Sequence, residues 1–162
     1  MNSWARCARS HSPFLSLAFV RNNDPMKITY TKEILETMGI FARATESDVK
    51  DCFEYDGVLY FVVAEGNLGK AVGKGGQTVR ELQERLKKRI RVLEFHPNLV
   101  DFLRNVIYPL KADAIEENNG TIVLRSADRS TRALLIGRNA KNLNRVKDVA
   151  NRYFTIQEIK VE

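Results

Sequence analysis

Four consecutive residues combine the small size and the positive charge that suit a phosphate-binding loop. They are Gly73, Lys74, Gly75 and Gly76, and they interrupt two segments with helical periodicity. Glycine permits a sharp turn with positive φ and leaves the backbone open to a ligand. A helix that begins at Gln77 would point its free N–H groups and the positive end of its dipole at that ligand. The loop therefore predicts a phosphate site, to which Lys74 adds a mobile charge.

Two other glycine motifs do not fit this stretch. A P-loop needs two glycines separated by four residues, followed by lysine and then serine or threonine. Here Gly69 and Gly73 are separated by three residues, and Lys74 is followed by Gly75. A dinucleotide-binding fingerprint needs a strand directly before a G-x-G-x-x-G pattern, which is not present. Nucleotide hydrolysis and redox chemistry therefore lose support.

The same pattern recurs 64 residues further along the chain. At this offset Gly73 aligns with Gly137 and Val79 with Leu143. The positions of the apolar residues also agree, from the second strand of each half to its last strand. The second loop consists of Gly137, Arg138, Asn139 and Ala140. So many matches in register predict a duplicated fold. Units of about 65 residues are marginally stable alone, so we expect the two halves to pack together.

Periodicity predicts the order helix, strand, strand, helix, helix, strand in each half, and therefore an α+β protein. For the first half the predicted elements are residues 31–44, 49–55, 58–64, 68–72, 77–89 and 91–95. For the second half they are residues 98–108, 110–116, 121–125, 130–136, 141–153 and 156–161. Residues 1–25 lack this patterning, and we expect them to be a loose extension or to lie upstream of a functional start at Met26.

Positive charge is concentrated in two blocks of a chain whose net charge is +6. Residues 70–91 and residues 125–152 each hold eight basic residues against two acidic ones. The remainder of the chain from residue 26 is therefore acidic. Two such blocks favour a polyanion as partner, although exposed helix faces can carry the same residues for solvation alone.

Other chemistries find little support in the composition. Cys7 and Cys52 are too few for a disulfide framework, so we expect free thiols in a reducing cytoplasm. The longest apolar runs, such as residues 58–64, are far shorter than the roughly 20 residues needed to cross a bilayer, so we expect no membrane. His11 and His96 do not combine with them in a metal-binding spacing. We therefore expect no metal and no cofactor.

The first loop, lying between a short helix and a longer basic one, resembles the GXXG loop of KH domains. The element order resembles the type II, prokaryotic KH fold, and two such units in tandem resemble the archaeal NusA-like transcription elongation and termination factors. The resemblance implies one KH domain over residues 26–96 and another over 97–162. It also implies that the chain is a cytoplasmic monomer, is not an enzyme, and binds single-stranded nascent RNA in termination or antitermination, with RNA polymerase or the transcription complex as a further partner.

Carried over residue by residue, the resemblance assigns two sites for the RNA backbone. The first comprises Gly73, Lys74, Gly75, Gly76 and Arg80. The second comprises Gly137, Arg138, Asn139 and Lys141, and Ala140 stands where the family's last loop glycine should be. An alternative hypothesis is that the chain is a structural or assembly protein of a ribosomal or other ribonucleoprotein particle. A third hypothesis is an RNA-processing enzyme or its accessory subunit, but no group of catalytic residues close together in the sequence supports it.

Overall fold

A computed structural model of this chain describes residues 30–162, so the extension predicted for residues 1–25 lies outside the described residues. The predicted order of elements occurs twice. The first half contains α1 (Lys32–Thr45), β1 (Val49–Tyr55), β2 (Val58–Val63), α2 (Leu68–Val72), α3 (Gln77–Leu86) and β3 (Arg89–Glu94). The second half contains α4 (Leu99–Ile107), β4 (Ala114–Asn118), β5 (Thr121–Arg125), α5 (Arg129–Ile136), α6 (Lys141–Asn151) and β6 (Glu158–Val161).

Each half builds one three-stranded sheet. The first two strands pair antiparallel and the third joins the second in parallel, in the orders β1-β2-β3 and β4-β5-β6. Both hairpins turn on two residues with positive φ, which are Asp56 and Gly57 in the first and Asn119 and Gly120 in the second. Such turns match the right-handed twist of the strands. The Asp-Gly and Asn-Gly dipeptides therefore set the register of both hairpins.

The sheet of the first half is covered on both faces. Leu59, Phe61 and Val63 of β2 pack in one core with the helices of their own half. The alternating residues Tyr60 and Val62 pack in a second core with α4 and α6 of the other half. A strand buried on both faces is continuously apolar, as the sequence VLYFVV of β2 is. The two halves therefore share a core and are not joined by a free linker.

Several helix and strand ends differ from those predicted. We expected one helix over residues 77–89, but α3 ends at Leu86 because Lys87 adopts the left-handed conformation with φ 54°. The Gln83 side chain then accepts a 2.9 Å hydrogen bond from the Ile90 backbone N–H, and β3 begins two residues earlier than predicted. In the second half, β4 and β6 begin later than predicted, at Ala114 and Glu158, where pairing with β5 starts. The helix predicted over residues 141–153 ends at Asn151.

No helix within residues 30–162 is both long and apolar enough to cross a membrane.

Candidate nucleic-acid interface

The first loop, residues 73–76, makes a sharp break between α2 and α3. Gly73 has φ 75° and ψ 173°, Gly75 has φ 60°, and Gly76 has φ 77°. The backbone N–H of Gly73 still closes the last turn of α2 by donating to Gly69 O at 3.0 Å. No side chain caps the start of α3. The Gln77 N–H donates to Lys74 O, and the N–H groups that follow it in the first turn are the ones available to a ligand at the open loop.

The second loop, residues 137–140, has the same backbone conformation. Gly137 has φ 72° and ψ 171°, against 75° and 173° at Gly73. Asn139 and Ala140 repeat the left-handed angles of the two glycines that follow Lys74 in the first loop. The alanine that departs from the sequence motif therefore does not change the course of the chain.

Glycine is required at the first position of each loop, and the two later glycines of the first loop face open space. A Cβ atom at Gly73 would lie 2.2 Å from Thr78 Oγ1, and one at Gly137 would lie 2.8 Å from Asn142 Cγ. At Gly75 and Gly76 a Cβ atom would meet nothing within 4 Å. The outer side of the first loop is thus free to receive a ligand.

The predicted cations differ in how they are engaged. Lys74, Arg80 and Arg138 are exposed, and none of them forms an ion pair with any residue from 30 to 162. Lys141, at the start of α6, is paired instead: its Nζ lies 2.6 Å from Oδ2 of Asp56, in the hairpin turn of the other half. The hydrogen bond to Asp56 raises the pKa of Lys141. The lysine predicted for the second site is therefore already paired with a carboxylate.

A groove of about 400 Å³ runs beside the first loop, and we call it the first groove. One wall comes from α2, the loop and α3 through Val72, Gly76, Val79, Arg80 and Gln83, and the other comes from residues 90–93 of β3. Its end is formed by Asn105, Tyr108 and Pro109 of the second half. The groove joins apolar walls to an exposed cation and the open loop. That combination is complementary to an unpaired base and its negatively charged backbone phosphates.

A buried polar cluster links the two halves, and the sequence did not reveal it. Asp51 of β1 is 1% exposed. It accepts hydrogen bonds from Arg152 Nε at 2.9 Å, from Arg152 Nη2 at 3.1 Å, from Tyr30 Oη at 2.9 Å and from the Tyr153 hydroxyl. The Arg152 guanidinium also lies over the Phe53 ring, 4.2 Å from its centroid.

The electrostatics of this cluster follow from its burial. Burial by itself would raise the pKa of Asp51, but the hydrogen bonds from Arg152 and Tyr153 outweigh it and hold that pKa below its usual value. Burial and the Asp51 hydrogen bond raise the pKa of Tyr30 to about 12. The carboxylate is therefore charged and both phenols are neutral near pH 7. Period-two alternation from Phe53, which faces the second half, is the signal that places Asp51 on the same buried face.

Curated proteins and solved structures include relatives of this chain. No family model matches the chain. A protein of Methanococcus vannielii, named "Probable transcription termination protein NusA", is 30% identical over 139 residues, which are 84% of this chain and 80% of that protein. The chain belongs to the archaeal NusA family. A NusA protein of Methanocaldococcus jannaschii bearing the same name is 28% identical over 138 residues, which are 83% of this chain and 75% of that protein.

A solved structure resembles the fold of this NusA-family chain. The crystal structure of APE1850 matches with a TM-score of 0.68 and 27% identity, and the match covers 82% of this chain and all of that one. The predicted α+β fold of tandem type II KH units and the predicted NusA family are both confirmed. The domain boundary between residues 96 and 97 and the RNA contacts of each loop stay predictions.

Proposed function

We propose that this chain is a transcription termination factor that binds single-stranded nascent RNA and acts without catalysis. The relatives carry a termination factor's name. The two loops have matching backbone angles, and each precedes a helix whose first turn no side chain caps. That repeated geometry is the observation on which the proposal rests.

At the first site the loop backbone and the cations divide the work. The open face of Gly75 and Gly76 lets a sugar-phosphate backbone approach the N–H groups at the start of α3. Lys74 and Arg80 supply positive charge that no carboxylate among residues 30–162 pairs with. Apolar walls at Val72 and Val79 leave room for bases in the first groove. Phosphate contacts hold the strand in place, and base edges in the groove provide discrimination.

At the second site the same backbone carries Arg138 and Asn139 toward the ligand, while Lys141 is shared with Asp56. We propose that this loop binds RNA more weakly than the first. The transcription complex, including RNA polymerase, is the proposed setting in which the strand emerges.

The decisive variants are Gly75→Asp and its neutral counterpart Gly75→Asn. Both add a side chain of one size into open space, and Asn139 already occupies the equivalent position with φ 54°. They differ only in charge. A unit charge about 4–6 Å from a phosphate is worth roughly 3–4 kcal/mol at the effective dielectric of a protein surface. G75D should therefore bind at least about tenfold more weakly than G75N.

Binding is measured by fluorescence anisotropy with the full chain and a labelled single-stranded RNA of mixed sequence, across a salt series. For one or two working loops, log K should fall with log salt at a slope that corresponds to roughly four to eight phosphates, at about 0.7 per phosphate. Duplex DNA serves as the competitor. Equal affinities of G75D and G75N, or no preference for single-stranded RNA, would overturn the proposal.

A further inference from the structure

Tyr108 is an aromatic residue that the fold leaves uncovered. It follows the last residue of α4, and 68% of its surface is exposed, more than for any other large hydrophobic residue between 30 and 162. An aromatic ring usually contributes its area to a core or to an interface. The shared core of the two halves lies close by, and yet this ring is not in it. The exposure therefore points to an external partner for the ring.

The backbone beneath this ring is held in place by the other half of the molecule. Arg91 of β3 donates a 2.7 Å hydrogen bond from Nη2 to the carbonyl oxygen of Tyr108. Arg91 also lines the first groove. The bond therefore fixes the backbone of Tyr108 relative to that groove, which lowers the ordering cost when a ligand arrives.

Tyr108 stands between two concavities. On one side it closes the end of the first groove. On the other side is a second concavity of about 350 Å³, which we call the second groove, lined by Arg104, Asn105, Ile107, Leu110 and Lys111 as well as Tyr108. Lys111 is exposed and pairs with no acidic residue between 30 and 162. Arg104 is paired with Asp101 at 2.9 Å, so among the described residues Lys111 is the free cation of this groove. An exposed ring beside a free cation offers a stacking surface and a phosphate partner to the same strand.

We propose that Tyr108 is a base-stacking residue that carries single-stranded RNA out of the first groove into the second, where Lys111 meets the next phosphate. This inference rests on the proposed function, because the strand must first be held at the first loop. It makes the RNA surface composite: the second half supplies a wall and a stacking ring to the site of the first. The second half then contributes to binding whether or not its own loop holds a phosphate.

The distinguishing measurement is how the effect of replacing Tyr108 on affinity depends on RNA length. A four-nucleotide RNA fills the loop and the first groove, whereas an eight-nucleotide RNA reaches beyond the ring. For the full chain, Tyr108→Ala should weaken binding of the longer RNA by about 5- to 150-fold. Tyr108→Phe, which keeps the ring, should stay within about twofold of wild type. Affinity for the four-nucleotide RNA, measured by competition, should change much less than affinity for the longer one.

Two further measurements separate stacking from a general loss of structure. Leu35→Ala removes another exposed apolar side chain (53% exposed) that lines neither groove, and it should bind RNA like wild type. An RNA with 2-aminopurine at its fifth position should lose fluorescence on binding to wild type and regain it with Y108A.

Unchanged affinity of Y108A for the eight-nucleotide RNA would overturn the stacking role, and the proposed function would stand if G75D still bound tenfold more weakly than G75N. Equal weakening of both RNA lengths would overturn the placement of the ring beyond the first groove. Absence of any RNA binding by wild type would overturn both proposals.

Discussion

The ion pair between Asp51 and Arg152 should control how firmly the two halves hold together. The two residues are 101 positions apart and lie in different halves, so their contact exists only when both sheets are assembled. Replacing Asp51 by asparagine keeps the shape of the side chain and removes its charge. The Arg152 guanidinium, whose side chain is largely buried, would then lose its counter-charge.

The size of the effect follows from burial and hydrogen-bond count. Removing one partner of a buried ion pair costs about 3–5 kcal/mol, because the other charge stays desolvated. Arg152 retains some contact with water, which places the D51N loss near the lower limit, at about 3 kcal/mol. For a protein of this size that loss lowers the Tm by roughly 10 °C. Asp48→Asn makes the same change at an exposed residue directly before β1, and it should lower the free energy of unfolding by less than about 0.5 kcal/mol.

Urea unfolding of wild type, D51N and D48N at several pH values measures this prediction. Because the pKa of Asp51 is lowered in the folded state, its contribution is present above the unfolded value of about 3.9 and is lost as the pH falls through the folded value. The gap between wild type and D51N should therefore be constant from pH 6 to 8 and shrink below about pH 4. Equal stability of D51N and D48N at pH 7 would refute the reasoning, as would a gap that persists unchanged at pH 3.

Two further predictions concern the loops. Asp56→Asn should free Lys141 and tighten RNA binding about two- to fivefold, more at low salt than at high salt. Asparagine also adopts the left-handed conformation of this turn (φ 52°), so the hairpin should be kept. An unchanged affinity in the same anisotropy assay would mean that the second loop does not contribute to RNA binding. Gly73→Ala should lower the unfolding free energy in urea by about 1–3 kcal/mol, since φ 75° with ψ 173° is a region that only glycine adopts readily. Adding Thr78→Ala removes the 2.2 Å contact with Oγ1 but leaves the Cβ of residue 78 at 2.8 Å and the backbone strain, so the double variant should recover only in part. Full recovery would show that neither the remaining contact nor the backbone conformation is costly.

Much of the fold could be predicted from local signals. The bounds of α2 and the two-residue turn at Asp56 and Gly57 are as predicted, because glycine and the dipeptide each specify a conformation by themselves. The repeat offset of 64 residues placed the second loop correctly even though Ala140 departs from the motif. The end of α3 could not be predicted in this way. Lysine is a good helix former, and the left-handed turn at Lys87 comes with a non-local bond between Gln83 and Ile90.

The buried cluster shows where reasoning from local sequence fails. Asp51 stands in a run with three other acidic residues, and such a hairpin is more often solvated than buried. In the structure Asp51 is buried instead, and its partners Arg152 and Tyr153 directly follow α6. Glu54 of the same hairpin is also paired, with Lys88 at 2.6 Å. A charged residue can be buried only when its partner is present, and that partner is visible only after the halves are packed together.

The second loop gives the strongest reason to treat both halves as functional. Ala140 occupies the left-handed conformation at φ 57°, which costs an L-residue roughly 1–2 kcal/mol. A turn without a role could relax this strain, yet the backbone follows the first loop within a few degrees at its entry. The helices that carry the first loop pack on one face of β2, and α4 and α6 of the second half pack on the other, so β2 ties both loops to one assembly. A strand long enough to span both loops would meet the second at high local concentration, so even a weak second site would lengthen the lifetime of the complex.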